Sequence, residues 1–272
     1  MTLAATAQPQ AALAFDQMAK EYDEVFTRSM IGRAQRNAVW SVLLDVFPKG
    51  SHLLEVNCGT GEDALFLARN GISVTACDAS SQMIEVASMR IRNEAPGAPV
   101  SFNHLSTERI RELRPTAEFN GAFSNFSGLN CVADLEQTGA DLASLLQPNA
   151  PLLLCLSTRF CAWETVWYSL HGKFRKAFRR WPGHATARSG EYAINVYYPT
   201  VRKLESLFSP FFVLRSISGV GVTVPPSYVE PWIREHPRLL HTLRAIDERL
   251  SLLPGFRILG DHMLLLFDRV PV

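Results

Sequence analysis

A short apolar strand that runs into a glycine turn and a helix constrains the fold of this chain more than any other feature. Residues 53–61 read Leu-Leu-Glu-Val-Asn-Cys-Gly-Thr-Gly, with the acidic Glu55 near the end of the predicted strand. A second apolar run, over residues 72–77, ends on Asp78. A strand, a Gly-x-Gly turn, a helix and a second strand that ends in an acid form the frame of a nucleoside-binding α/β fold.

The rest of the chain repeats this alternation of strand and helix. Segments with helical periodicity lie between seven predicted strands. This alternation favours a parallel sheet covered by helices on both faces. We therefore predict a Rossmann-like, doubly wound α/β fold: a seven-stranded, mostly parallel sheet with an antiparallel last strand, plus an inserted helical cap. The predicted strands are residues 52–56, 73–77, 100–105, 121–125, 151–156, 211–217 and 263–267.

The alternation is interrupted once, which divides the chain into four predicted regions. Residues 1–14 are expected to be a flexible tail, and residues 15–157 the α/β core with its N-terminal helices. Residues 158–198 contain no convincing strand and are interpreted as a helical cap. Residues 199–272 are expected to complete the core, with a helical, proline-rich insertion.

The composition of the chain makes several functional classes less favourable. The chain has 272 residues and a formal net charge of +1, so charge as a whole provides no attraction to nucleic acid. The five cysteines show no Cys-x-x-Cys spacing, which favours a reducing compartment over disulfides or zinc. The N-terminus is unlike a secretory signal, and no apolar run approaches the roughly 20 residues needed to span a bilayer. A soluble cytoplasmic protein is the default expectation, and the sequence does not specify its oligomeric state.

The acids around the glycine turn help to identify the nucleotide. The turn also fits a loose dinucleotide fingerprint, but Glu55 at the strand end would repel a pyrophosphate. Glu62 and Asp63 place further negative charge on the first turn of the following helix, where a phosphate would need to bind. The pattern suits a ligand that carries an ammonium or sulfonium group better than it suits NAD.

Three stretches together resemble the class I S-adenosylmethionine (SAM) dependent methyltransferases, in their type 11 and ubiquinone-methyltransferase-like branch. Residues 54–61 and 74–83 resemble motif I and the acidic loop that follows it. Residues 14–23, Ala-Phe-Asp-Gln-Met-Ala-Lys-Glu-Tyr-Asp, resemble the N-terminal signature of this branch. Residues 145–152 resemble the stretch before strand five, with Asn-Ala-Pro where the family usually has Gly-Gly.

The resemblance implies SAM as cofactor and a set of contacts to it. Asp78 would accept both ribose hydroxyls, Glu55 would orient a water or the ammonium group, and Tyr22 would fold over the cofactor. Ser106 or Thr107 would stand where many family members place an acid near the adenine. The complete set of implied cofactor contacts is Tyr22, Glu55, Asn57, Cys58, Gly59, Thr60, Gly61, Asp78, Ala79, Met83, Ser106, Thr107, Asn125 and Phe126.

No strong catalytic constellation is visible in the sequence. Methyl transfer from a sulfonium mainly requires alignment of a nucleophile and exclusion of water, so none is needed. The weak candidates for a general base are His171, His184, Tyr197 and Tyr198. The seven histidines show no metal-ligand spacing, and no metal is predicted.

A basic, aromatic-rich stripe lies within the predicted cap. Five cations fall within residues 173–180, and Phe174, Phe178 and Trp181 belong to the opposite, apolar face. The default interpretation is a solvated helix over the core. The alternatives are a site for an acidic or acyl substrate, or peripheral contact with a membrane.

The expected function is methyl transfer from SAM to an oxygen, nitrogen or carbon atom of a small organic molecule. The aromatic cap favours an acceptor with apolar or acidic character rather than a nucleic acid. Two other classes stay open at this point. One is an NAD-dependent oxidoreductase, and the other is a non-catalytic SAM-binding module.

Overall fold

The computed structural model describes residues 9–113 and 115–271, which contain nine strands. Seven of these strands form one sheet, and two form a separate hairpin. The strands are β1 (His52–Val56), β2 (Ser73–Asp78), β3 (Val100–His104), β4 (Gly121–Ser124), β5 (Pro151–Ser157), β6 (His184–Ser189), β7 (Tyr192–Tyr197), β8 (Phe212–Val220) and β9 (His262–Arg269).

The large sheet has the order β3-β2-β1-β4-β5-β9-β8. Strands β1 to β5 pair in parallel, whereas β9 is antiparallel to both β5 and β8. The predicted seven-stranded, mostly parallel sheet with an antiparallel last strand is confirmed. The order reverses between β1 and β4, and such a switch point opens a crevice at the carboxyl ends of the strands.

Helices cover both faces of the sheet. Polar side chains cap several of them: Ser29, Ser80 and Asp134 each accept a hydrogen bond from a backbone N–H in the first turn. The helices are α1 (Gln10–Tyr22), α2 (Met30–Val46), α3 (Glu62–Arg69), α4 (Ser81–Glu94), α5 (Leu135–Leu145), α6 (Ala162–Leu170), α7 (Phe174–Ala177), α8 (Val201–Phe208), α9 (Glu230–Glu235) and α10 (Pro237–Leu250).

The core has one apolar layer on each face of the sheet. On one face, Leu142 of α5 and Phe208 of α8 pack with Leu154 of β5. On the other face, Leu43 of α2 and Leu67 of α3 pack with strand residues. The central strands are therefore buried on both faces, as their continuous apolar sequences predict.

Two regional predictions, the one for the N-terminal tail and the one for the helical cap, are wrong in part. The predicted tail over residues 1–14 includes the start of α1, where Ala12 and Ala14 are buried; residues 1–8 lie outside the described residues. After α1 the chain forms a π-helical turn, Asp23–Thr27, and Ser29 then caps the N-terminus of α2.

The predicted helical cap is also only half helical. Residues 162–177 hold α6 and α7, but β6 and β7 form an antiparallel hairpin in the second half. A two-residue turn joins the strands, and Gly190 in that turn has φ of +57°, a conformation that glycine tolerates well. The pairing of the two strands, rather than a helical stripe, decides the structure of this segment.

Candidate cofactor-binding site

A cavity of about 280 Å³ lies at the carboxyl ends of β1, β2 and β4, at the switch point of the sheet. Of the fourteen residues predicted to contact a cofactor, all but Glu55, Gly61 and Ser106 line it. Residues from α1, α2 and the β6–β7 hairpin complete the wall. The lining residues that were not predicted as cofactor contacts include Phe15, Arg36, Glu62, Asp63, Glu108, Cys131, Val132, Ile194 and Val196.

The two glycines of the turn after β1 have different surroundings. Gly59 has φ of +53°, lines the cavity, and a Cβ placed on it would meet no protein atom within 4 Å. Gly61 has φ of +75°, and its Cβ would lie 2.7 Å from the Cβ of Ala87 in α4. Gly59 is therefore the glycine that exposes backbone to the cavity. Gly61 instead allows the turn to pack against α4, which corrects its predicted role as a cofactor contact.

Asp78 ends β2 and faces the cavity beside this turn. Its Oδ2 accepts a hydrogen bond from the Gly59 N–H at 2.9 Å, and its Oδ1 accepts one from the Ser80 N–H at 2.8 Å. Burial raises the pKa of Asp78, while these two hydrogen bonds favour the ionised form. Each oxygen has a second lone pair, so the carboxylate can still accept hydrogen bonds from a diol.

Glu55 lies behind the cavity wall rather than in it. Its side chain is 1% exposed, and its Oε2 has no hydrogen-bond partner among the described residues. Burial, followed by repulsion from Asp63, raises the pKa of Glu55 well above its usual range. The structure thus gives no direct contact between Glu55 and the cavity, and any influence on a ligand passes through an intervening group.

A buried ion pair on α2 and α3 was missed by the sequence analysis. Arg36 Nη1 lies 2.6 Å from Asp63 Oδ1, and both residues line the cavity. Burial opposes the charge on Arg36, but attraction to Asp63, the hydrogen bond to it and the nearby Tyr22 and Glu62 together raise the Arg36 pKa. The Arg36 Nε has no hydrogen-bond partner among the described residues. Nothing in the local sequence marks Arg36, because it precedes β1 by more than a dozen residues and reaches the site only through the packing of α2.

The loop after β4 completes this side of the cavity. Asn125 donates to Asp63 Oδ2 at 3.0 Å, and the Arg36 guanidinium lies 4.9 Å from the centre of the Phe126 ring. Phe126 and Ser127 both have positive φ, of 44° and 70°. Such backbone conformations are costly for these residues, and the surrounding contacts hold them in place.

The end of α1 and the π-helical turn that follows it cover the cavity. Tyr22 lines it, and burial raises the pKa of its hydroxyl. In the π-helical turn, Asp23 accepts a hydrogen bond from the Thr60 hydroxyl at 2.7 Å and pairs with Arg90 of α4. Arg90 also pairs with Glu62, so the covering segment is tied to the glycine turn.

The β6–β7 hairpin provides an apolar wall. Ile194 and Val196 of β7 line the cavity, and β7 packs against α1. Asn130 fixes the end of the hairpin by donating to the Tyr197 carbonyl at 2.6 Å. Residues distant in sequence thus enclose one end of the cavity with apolar side chains.

The four candidate bases do not line this cavity. His171 is exposed, and its Nδ1 hydrogen-bonds the Trp167 carbonyl at 2.7 Å. His184 is exposed at the start of β6, and Tyr198 lies under the Arg180 guanidinium. Tyr197 contributes its backbone carbonyl to Asn130. This geometry does not support a base role for any of them.

The residues of the cavity fit SAM. The open space at Gly59 leaves room for a ligand against the backbone, and Asp78 offers a carboxylate to ribose hydroxyls. The guanidinium of Arg36 and the carboxylate of Asp63 suit the two charged groups of an amino acid. Glu62 and Asp63 on the first turn of α3 are less suited to a pyrophosphate. Within the described ranges, no group of three or more acidic, histidine or cysteine residues is arranged to hold a metal ion.

The fold and the site together define a nucleoside-binding α/β protein of the Rossmann-like type, and comparisons with known proteins specify its family. Residues 53–149 match the methyltransferase domain family. Over its whole length the chain resembles the crystal structure of the [4+2]-cyclase SpnF, with a TM-score of 0.63, 16% identity and 98% of each chain covered. At that identity the likeness concerns the fold alone.

Sequence comparison also finds similar curated proteins. A Talaromyces variabilis SAM-dependent Diels-Alderase, iccD, is 30% identical over 39% of this chain and 36% of its own. A Leptospira interrogans demethylmenaquinone methyltransferase is 25% identical over 51% of this chain and 57% of its own. An Escherichia coli tRNA 5-carboxymethoxyuridine methyltransferase is 24% identical over 58% of this chain and 57% of its own. The matched region thus spans between about a third and just over half the length of these relatives.

The family match over residues 53–149 and the methyltransferase relatives support a class I SAM-dependent methyltransferase. The expected family and its cofactor, SAM, are confirmed at this level, and neither the NAD-dependent nor the non-catalytic alternative receives support. The narrower assignment to the type 11 branch stays a prediction.

Proposed function

We propose that the protein transfers the methyl group of SAM to a small organic acceptor. The observation that carries this proposal is that the cavity lining combines two sets of groups, which we call its polar half and its apolar half. Asp78, Gly59 and the Arg36–Asp63 pair form a polar half, while the β6–β7 hairpin and neighbouring side chains form an apolar half. The polar half suits a nucleoside joined to an amino acid, and the apolar half suits the body of an acceptor.

The proposed roles follow from the chemistry of the lining. Asp78 accepts hydrogen bonds from the ribose hydroxyls, Arg36 binds the carboxylate and Asp63 the ammonium group. SAM, when bound, supplies a methyl group that its sulfonium has already activated for in-line displacement. The protein therefore needs to orient the two ligands and exclude water rather than to provide strong acid–base catalysis.

The acceptor is proposed to occupy the apolar half. Phe15, Val132, Ile194 and Val196 present apolar surface there, and Phe126 lies at the border with the polar half. A small molecule with apolar surface fits this lining better than a nucleic acid, for which the net charge of +1 provides no attraction. The methyl group is transferred to an oxygen, nitrogen or carbon atom of this acceptor.

Two measurements test the proposal. Calorimetry should detect binding of SAM and of S-adenosylhomocysteine, but not of NADH. A screen of small phenols, amines, carboxylic acids and quinone precursors should then identify an acceptor whose mass increases by one CH₂ as S-adenosylhomocysteine is released. Failure to bind SAM would refute the site assignment. SAM binding without turnover on any acceptor would refute the transferase activity alone.

A second candidate is a cyclisation that SAM supports without being consumed. The observation that favours it is the likeness to the Diels-Alderase, which is 30% identical over 39% of this chain. A pericyclic reaction requires no general base, and no histidine lines the cavity within the described residues. The same screen separates the two, because a cyclase converts its substrate to an isomer of equal mass and releases no S-adenosylhomocysteine.

A further inference from the structure

The segment around α6 and α7 exposes an unusual amount of apolar surface. Leu170 is 80% exposed and Phe174 is 61% exposed, although both are large apolar side chains. Isolated exposed apolar residues are ordinary, but contiguous patches of them mark interaction sites. We call this patch the α6–α7 surface; its apolar members are Phe160, Val166, Leu170, Phe174, Phe178 and Trp181.

Local packing holds these side chains together on the outside of the molecule. Val166 and Leu170 are one helical turn apart on α6, so they share a face. The rings of Phe160 and Phe178 contact the Trp181 ring edge-on, with centroids 5.5 and 4.9 Å away. Ala177 of α7 is buried, which anchors this short helix to the protein. The exposed rings are therefore a built feature of the surface and not a frayed end.

The charges around this surface have one sign. Between residues 159 and 188 there are seven lysines and arginines but a single acid, Glu164. Glu164 is buried and is bound by Arg179 and Arg180, and Arg180 also pairs with Asp261. The positive charges of these two arginines are therefore balanced by the negative charges of the two acids. The five remaining cations form no ion pair within the described residues: Arg159, Lys173, Arg175, Lys176 and Arg188.

We propose that the α6–α7 surface binds the surface of an anionic lipid bilayer. Exposed aliphatic and aromatic side chains insert at the boundary between headgroups and acyl chains, and surrounding cations attract acidic headgroups. The tips of Val166 and Leu170 would gain nothing from a nucleic acid, which makes lipid the better match for the combination. Within the described residues no helix is long and apolar enough to cross a membrane. The proposal does not depend on the methyl-transfer activity.

Vesicle flotation of the full-length protein tests the proposal. The protein is expected to float with phosphatidylcholine–phosphatidylglycerol vesicles much more than with phosphatidylcholine alone, and to be released as salt concentration rises. The double variant Leu170→Ser/Phe174→Ser should reduce binding by about tenfold or more, because both side chains bury on insertion. Lys173→Glu/Lys176→Glu should reduce it by a similar factor, because the cations become anions.

Matched variants elsewhere serve as controls. Val213→Ser removes an apolar side chain that is 62% exposed on β8, and Arg202→Glu/Lys203→Glu changes the net charge on α8 by the same amount. Both controls should retain wild-type binding, and all variants should keep the wild-type circular dichroism spectrum.

A second measurement on the wild-type protein avoids any dependence on variant folding. Hydrogen exchange with and without anionic vesicles should show protection concentrated in residues 160–181. No flotation with anionic vesicles at low salt would overturn the proposal. So would an equal loss of binding in the control variants, or binding that survives removal of Leu170 and Phe174. Protection in another region of the chain would also overturn it.

Discussion

At the residue scale, Glu55 and Asp78 show how similar carboxylates differ with their surroundings. Both lie on neighbouring parallel strands, and burial raises the pKa of each. Asp78 receives two backbone hydrogen bonds that favour its charged form. One oxygen of Glu55 has no partner within the described residues. We therefore assign the charged, ligand-facing role to Asp78 and a neutral, buried one to Glu55.

This difference predicts how Glu55→Gln changes the pH dependence of stability. Above a pH of about 4.5, the unfolded chain loses the Glu55 proton while the folded protein retains it, so wild-type stability falls as pH rises. The slope from this one group approaches about 1.4 kcal/mol per pH unit until the folded pKa is reached. The Gln variant lacks this loss and should become progressively more stable than wild type as pH rises.

Urea denaturation between pH 4 and pH 7 measures this effect. Glu205→Gln, an exposed position on α8, is the matched control and should follow the wild-type curve. A constant difference between Glu55→Gln and wild type over this range would contradict the pKa direction.

Asp78→Ala should weaken SAM binding by about tenfold or more, because a hydrogen bond to a charged group is worth roughly 1.5–3 kcal/mol. It should also lower the free energy of unfolding by about 1 kcal/mol, since Asp78 supports the Gly59 and Ser80 amides. Asp134→Ala removes a comparable capping carboxylate from α5, outside the cavity. Calorimetry should find normal SAM affinity in Asp134→Ala, and equal affinities in the two variants would remove Asp78 from the site.

At the scale of elements, the turn between β1 and α3 divides binding and packing between its two glycines. Gly61→Ala should destabilise the protein by about 1–3 kcal/mol or more, because its Cβ would overlap Ala87 and its φ is positive. Gly59→Ala meets no protein atom and should cost only about 1–2 kcal/mol for its backbone conformation. Its larger effect should be on SAM affinity, since the new methyl group occupies space that the cavity offers to a ligand. Thermal melts and calorimetry on both variants distinguish these effects, and a reversed order would refute the assignment.

Two elements distant in sequence, α1 and β7, close the cavity together. SAM binding should therefore slow amide hydrogen exchange in both, because each contributes side chains to the wall that a ligand contacts. Helix α10, whose residues are outside that wall, is the internal control. Uniform slowing over the whole chain would indicate global stabilisation only. Protection of α1 without β7 would remove the hairpin from the site.

At the scale of the whole molecule, cofactor binding should be visible as thermal stabilisation. A ligand that binds only the folded state at about 100 times its Kd adds about 2.7 kcal/mol. For a domain of this size that corresponds to a rise in Tm of roughly 5–10 °C. SAM and S-adenosylhomocysteine should both produce the shift in differential scanning fluorimetry, and adenosine and NADH should not. A shift with NADH equal to that with SAM would contradict the assignment of the cofactor.

The sequence by itself determined the sheet and the centre of the site. Strand positions, the glycine turn and Asp78 are encoded in contiguous residues through apolar runs, glycine and an acid at a strand end, so local patterns predict them. It also identified Tyr22 and ten further residues that line the cavity, through a resemblance whose motifs lie within short stretches.

Only the tertiary structure decided what closes the site and what faces outward. Arg36 reaches Asp63 through helix packing, and Ile194 and Val196 reach the cavity through strand pairing, which a helical stripe in the sequence does not predict. The exposure of Leu170 and Phe174 likewise depends on which face of α6 and α7 packs inward. These features arise from contacts between residues far apart in the chain, and for that reason periodicity and spacing do not specify them.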